Sequence, residues 1–141
     1  MRFRFEKLEV WQEARKINGS SCRLTRKFPK HEMFGMTSQL RRAAVSISSN
    51  IAEGSGRNSD KDFPHFREQS YGSLMEVVSI LYLAADENSA GHLELEPLFG
   101  ELEKLARRIA ALNRSLQVKA SKTPFQRRNG NTLDPRPSTL D

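Results

Sequence analysis

Residues 38–54 read S-Q-L-R-R-A-A-V-S-I-S-S-N-I-A-E-G, and the chain then runs through S-G-R-N-S-D-K-D-F to Phe63. Met36, Leu40, Ala43, Ile47 and Asn50 recur in steps of four and three, the spacing of a helical seam facing other helices, with Ile51 beside it. Ala43, Ala44, Ser46 and Ser48 are small enough to let a neighbouring helix approach closely. Thr37 is expected to cap the start of this helix through its hydroxyl. Gly54 is expected to end it in the left-handed position that glycine adopts without a steric penalty. Ser59, with Asp62 three residues on, resembles a capping box that opens the next helix. The stretch thus spells a helix, a glycine-punctuated turn and a second helix.

The flanks repeat this theme. On the N-terminal side, Val10, Ala14, Ile17, Ser21, Leu24 and Phe28 form a seam that predicts a helix over 8–27, widened by Leu8 and Trp11. Asn18-Gly19 is a turn signal, but its flanks lack the alternation of a hairpin, so one helix is expected to run through it. Pro29 ends that helix by excluding the residue before it from helical geometry. Residues 30–36 read as a connector with a short helical turn. On the C-terminal side, Phe63, Phe66, Ser70, Leu74, Val77, Leu81 and Ala84 predict a helix that begins just after Ser59 and runs to about residue 87. Pro64 is expected to cost its first turn a backbone bond. Residues 88–96 read as a loop. Pro97 then suits the first turn of a fourth helix, whose leucine and isoleucine seam (Leu98, Leu102, Leu105, Ile109, Leu112, Leu116) is the cleanest in the chain.

The fold class expected is all-α, an antiparallel up-down-up-down four-helix bundle over 1–117. After Gln117 the composition shifts to Lys, Ser, Thr, Pro, Asn and Gly, and residues 118–141 read as a disordered basic C-terminal tail. The 141 residues suffice for one domain core. The net charge of +6 and pI of 9.8 make an acidic partner, RNA or DNA, worth testing, although the tail supplies half of that charge. No apolar run approaches a membrane span and the N-terminus lacks a signal-peptide core, so the chain is expected in the cytoplasm with no membrane partner. Cys22 is the only cysteine, which excludes an internal disulfide and a thiolate-cluster metal site.

Several motifs join the central stretch in a family likeness. They are F-E-K-L-E-V-W-Q-E-A at 5–14, F-P-K-H-E-M-F-G-M-T-S-Q-L-R-R-A-A-V-S-I at 28–47, N-I-A-E-G-S-G-R at 50–57 and G-S-L-M-E at 72–76. Over residues 3–116 the chain resembles the 23S rRNA intervening-sequence proteins, four-helix bundles named for reading frames inside insertions of bacterial ribosomal RNA genes. Pro64 departs from the family pattern, where another residue follows the phenylalanine. The resemblance implies a homo-oligomeric ring, a pentamer. It also implies an accessory role toward nucleic acid or a protein partner such as a reverse transcriptase.

Three sets of residues are candidates for function. Asn50 lies on a seam, and Glu53 lies where a helix dipole disfavours a carboxylate. With Ser46, Arg57, Ser73 and Glu76 they form either a satisfied polar network or an interaction site. Arg41, Arg42, Arg107, Arg108, Arg114, Lys119, Lys122, Arg127 and Arg128 are the cations available to a phosphate backbone. For catalysis, Arg26 and His31 have the Arg-x4-His spacing of HEPN-domain ribonucleases, with Pro29 between them against a shared helix. A carboxylate metal centre would want Glu-x-x-His on two helices, and only Asp62-Phe-Pro-His65 comes near. The expectation is therefore a non-enzymatic scaffold with no catalytic residues, metal or cofactor. A HEPN-like ribonuclease and a pure protein-interaction module are the alternatives.

Overall fold

The computed structural model describes residues 2–56 and 62–121, the side chains as far as 112. Four α-helices carry the fold: α1 (Glu9–Thr25), α2 (Ser38–Ser55), α3 (Phe63–Asp86) and α4 (His92–Ser121). A 3-10 turn, Arg4–Lys7, precedes α1, and a 3-10 turn, Lys30–Glu32, followed by a π-turn, Met33–Thr37, links α1 to α2.

Contacts between helices establish the up-down-up-down order. Arg41 Nε, early in α2, donates to Thr25 Oγ1 at the end of α1 (2.9 Å). Late α2 meets early α3, where Gly54 lies against Phe63 and Phe66. Arg67 Nη1 in α3 donates to the Ala110 carbonyl of α4 (3.1 Å), and the rings of Tyr82 and Phe99 pack 4.7 Å apart. The square closes where α4 meets α1, through Arg108 with Glu13 and Lys27 with Glu94.

The seams read from the sequence supply the core. All six positions of the α1 seam are buried, as are Leu98, Leu102, Leu105, Ile109 and Leu112 of α4. Burying each such leucine or isoleucine contributes about 1.5–3 kcal/mol relative to leaving it in water. The α2–α3 interface works differently, through small and hydroxyl side chains that bring two backbones together. Ser70 Oγ, fully buried, donates to the Ile47 carbonyl (2.9 Å).

Several local expectations need correction. Thr37 makes no capping bond. The chain kinks at Gly35 (φ −111°, ψ −105°) and is helical again beyond it, so Thr37 already has helical geometry (φ −59°, ψ −49°) and sits inside the helical path. Gly54 does not end α2 in a left-handed conformation. It is buried inside the helix, which continues to Ser55 and is capped by Gly56 with φ −86°. The left-handed cap occurs instead at the end of α3, on Asn88 (φ 59°). There Ser89 N donates to the Ala84 carbonyl (2.8 Å) and Asn88 N to that of Ala85 (3.1 Å), a Schellman closure. Pro64 costs α3 no bond, because it is the second residue of the helix, where the N–H has no intrahelical acceptor.

The fourth helix starts five residues before Pro97, since Leu95 is buried at 1% exposure and extends the seam backwards by one step. The bond that Pro97 cannot make would have gone to Leu93, whose residue lies out in solvent at 89% exposure. Asn50 is half-buried at the seam's edge, and Ile51, 1% exposed, takes the core position. The backbone of α4 continues to Ser121, past the boundary expected at 117. The Ser59 cap and the tail from residue 122 lie outside the described residues.

Candidate functional site

The centre of the opening stretch is a polar cluster between α2 and α3. Asn50 Nδ2 donates to the carbonyl of Ser46 (2.9 Å) and to its Oγ (3.0 Å), one turn back on the same helix. Ser73 Oγ, from α3, donates to Ser46 Oγ (2.7 Å). The Asn50 amide is therefore partnered, and the cluster ties the register of two helices whose small residues already let them approach. Chemically it is quiet. Among the described residues no histidine, lysine or carboxylate bonds to either serine, so neither hydroxyl has a base to activate it.

The other members predicted for this site do not converge on it. Glu53 and Glu76 are exposed, and among the described residues neither makes an ion pair. Asn50 and Glu53, read together in the sequence, thus point to different surroundings. Arg57 lies outside the described residues.

The cations predicted to meet phosphate are scattered, and some are engaged. Arg108 is held by Glu13 and lies 3.8 Å from Glu9, locking α4 to α1. This removes it from the set free to bind a ligand. Arg107 pairs with Glu103 one turn away (3.5 Å), both largely exposed, a contact of small energetic weight. Arg41 is bonded to Thr25 and Arg42 Nη1 to Ser38 Oγ (2.9 Å), yet both side chains stay at the surface. The side chains of Arg114, Lys119, Lys122, Arg127 and Arg128 lie outside the described residues.

Arg26 and His31 do not share a helix. Arg26 follows the last residue of α1, while His31 sits in the 3-10 turn beyond Pro29, 3.8 Å from Glu32. Among the described residues no three His, Cys, Asp or Glu side chains gather to hold a metal ion, and no helix is long and apolar enough to cross a membrane.

Two surface features escaped the sequence reading. On the outer side of α3, Tyr71, Met75, Val78 and Tyr82 form a second apolar stripe in steps of four, three and four. With Phe99, Ala106 and Ala110 of α4 they line a groove of about 550 Å³, and Tyr82 alone is 56% exposed. Its signal was present, because α3 is apolar on two faces where a simple bundle helix needs one. The other is a groove of about 980 Å³ along the outside of α1, where Trp11 lies among Arg15, Lys16 and Arg23.

A model of the family described as 23S rRNA-intervening sequence protein matches residues 6–111. No curated protein matches the chain. The matched span covers all of α1, α2 and α3, most of α4 and the α2–α3 polar cluster. On that match over most of its length, the chain belongs to the 23S rRNA-intervening sequence protein family.

Proposed function

We propose that the chain is a non-enzymatic helical scaffold that assembles with copies of itself and holds nucleic acid on the cations the assembly collects. The observation that carries this reading is the outer apolar stripe of α3. Tyr71, Met75 and Tyr82 are 38%, 40% and 56% exposed, on a helix whose other face already fills the core. A four-three-four stripe is the pattern a helix presents to another helix, and water makes such a patch costly on a lone subunit. The occupant proposed is a second copy of this chain. The groove and the adjoining pocket that shares Tyr71 and Ala110 with it carry both signs of charge, Arg107 with Glu103 on α4 and Arg67 with Glu68 on α3, so an identical surface can match them.

Assembly also answers the weakness of the basic surface. The cations of one subunit are scattered over its surface, whereas a ring, five-membered as the family likeness implies, multiplies them without any new contact. Light scattering tests the assembly. The expected mass is a multiple of 16.1 kDa, and Met75→Asp should return it to a single subunit. A wild-type monomer at micromolar concentration overturns the reading. For the nucleic-acid part, a gel-shift titration should show RNA binding that weakens steeply with salt. Absence of binding at low salt removes that part.

A further inference from the structure

The first residues of the chain, Arg2-Phe3-Arg4-Phe5, alternate cation and aromatic, and the fold holds them still. Glu6 accepts backbone bonds from Phe3 N (3.0 Å) and Arg2 N (3.3 Å), and Gln12 Nε2 ties the Glu6 carbonyl to α1 (2.7 Å). Pinned in this way, Phe3 nevertheless remains 60% exposed. Its ring lies parallel to that of Phe5, 5.9 Å apart with 6° between planes. Phe5 meets Trp11 edge-on at 4.8 Å, and the Arg15 guanidinium covers Trp11 at 5.5 Å. The result is an aromatic ladder with an outer rung accessible to solvent, leading into the groove along α1. Packing explains Phe5 and Trp11, which lie against the core. It accounts for one face of Phe3, which stacks on Phe5, and leaves the rest of that ring in water.

Cations outnumber carboxylates in the groove beside the ladder. Arg15, Lys16 and Arg23 line the groove, and among the described residues none of them makes an ion pair. Two carboxylates also line it, Glu6, whose oxygens accept two backbone N–H groups, and Glu101. Cations that follow a trough beside an exposed aromatic face are what an unpaired polynucleotide strand needs. Phosphates take the charge, while a base stacks on the ring whatever its identity. A duplex keeps its bases stacked inside and has no use for Phe3.

We infer that this groove binds single-stranded nucleic acid, with a base stacked on Phe3 and the phosphates running along Arg15, Lys16 and Arg23. The inference rests on the nucleic-acid half of the proposed function and assigns it a site and a ligand class. Trp11 is the only tryptophan of the chain, so its fluorescence reports on this groove alone.

The experiment titrates the full-length protein with a fluorescein-labelled twelve-nucleotide oligouridylate, its thymidylate counterpart and a duplex of the same length. Anisotropy and Trp11 emission are read together. Expected are quenching by both single strands, weaker binding of the duplex, and a loss of about tenfold in single-strand affinity for Phe3→Ala. Arg15→Gln with Arg23→Gln should lower the logarithmic salt slope by about 1.4. All three residues are exposed, and far-UV circular dichroism verifies the fold of each variant. If anisotropy reports binding while Trp11 stays silent and Phe3→Ala binds like wild type, the strand lies elsewhere. The inference then fails and the proposed function stands. Equal affinity and quenching by the duplex also overturns it. If no oligonucleotide binds at about 50 mM salt, the nucleic-acid half of the proposed function falls together with it.

Discussion

Gly54→Ala should destabilise this protein, although alanine is the better helix former by about 1 kcal/mol. Gly54 lies inside α2, and a Cβ built there would sit 2.9 Å from Phe66 Cβ and 3.0 and 3.2 Å from two ring carbons of Phe63. The nearest of these atoms is a Cβ fixed to the α3 backbone, so no rotamer change relieves the contact. Either α3 moves away from α2 or the new methyl group is compressed. Overpacking of this kind costs about 1–3 kcal/mol. Set against the propensity gain, the net loss expected is about 0–2 kcal/mol.

Gly100→Ala is the matched control, since Gly100 lies in α4 and a Cβ there meets nothing within 4 Å. It should gain about 0.5–1 kcal/mol from propensity alone. Urea unfolding followed by circular dichroism, at one fixed protein concentration because self-association shifts apparent stability, gives both numbers. Opposite signs are the expected result. If Gly54→Ala stabilises as much as Gly100→Ala, the two helices are not in the close contact described, and the account of the α2–α3 interface fails.

Three further predictions concern charges and caps. Lys27 donates to Glu94 Oε2 (2.7 Å) and this bond, ahead of the charge interaction, holds the Glu94 carboxyl below the ordinary glutamate range. The pair therefore stabilises the fold above the unfolded-state pKa, and that contribution fades as pH falls through the lower folded-state value. Being exposed it is small, under about 1 kcal/mol, and Lys27→Ala should raise the Glu94 midpoint in an NMR titration. An unmoved midpoint would refute the cause given. Arg108→Ala strands Glu13, whose Oε1 is already buried without a partner, and should cost about 1–2 kcal/mol in thermal or urea melts. A Glu13→Ala background should reduce that loss in a double-mutant cycle. Asn88→Ala forces a Cβ-bearing residue without a polar side chain into φ 59° and should cost about 1 kcal/mol, whereas Asn88→Gly should be neutral or slightly stabilising. Equal effects of the two would mean that the backbone angle is not what selects asparagine there.

The bundle was legible in the sequence because α1 and α4 bury large aliphatic side chains at regular intervals. The details that misled share one cause, in that a residue type can answer two different physical needs. Gly54 looked like a chain reversal, but its missing side chain serves close approach of a neighbouring helix, which depends on Phe63 and Phe66 across the interface. Pro64 reads as a lost bond and Pro97 as a helix start, yet Pro64 falls on a naturally unpaired N–H and Pro97 lies inside α4, where the buried Leu95 extends the seam ahead of it. Of the candidate site, the bonding of Asn50 to Ser46 and the contact of Ser46 with Ser73 fit the network reading. The exposure of Glu53 depends on which side of α2 faces α3 and could not be read locally. The Arg2-Phe3-Arg4-Phe5 alternation was in plain view, but it acquires meaning only once Glu6 and Gln12 are seen to pin it.

The antiparallel closure by Arg108 with Glu13 and Lys27 with Glu94 gives the molecule two chemically unlike poles. The start of α1, the late turns of α4, the end of α2 and the start of α3 gather at one pole, beside the Arg2–Phe5 strip. The opposite pole holds the turns around Phe34 and Asn88. A dye, tag or surface tether placed near Phe3 therefore reports from the same pole as one placed near Leu112, and the former would crowd the aromatic ladder. Anchoring through the solvent-facing Phe34 turn, 93% exposed at that residue, leaves the ladder free, which makes it the orientation of choice for surface-based binding measurements.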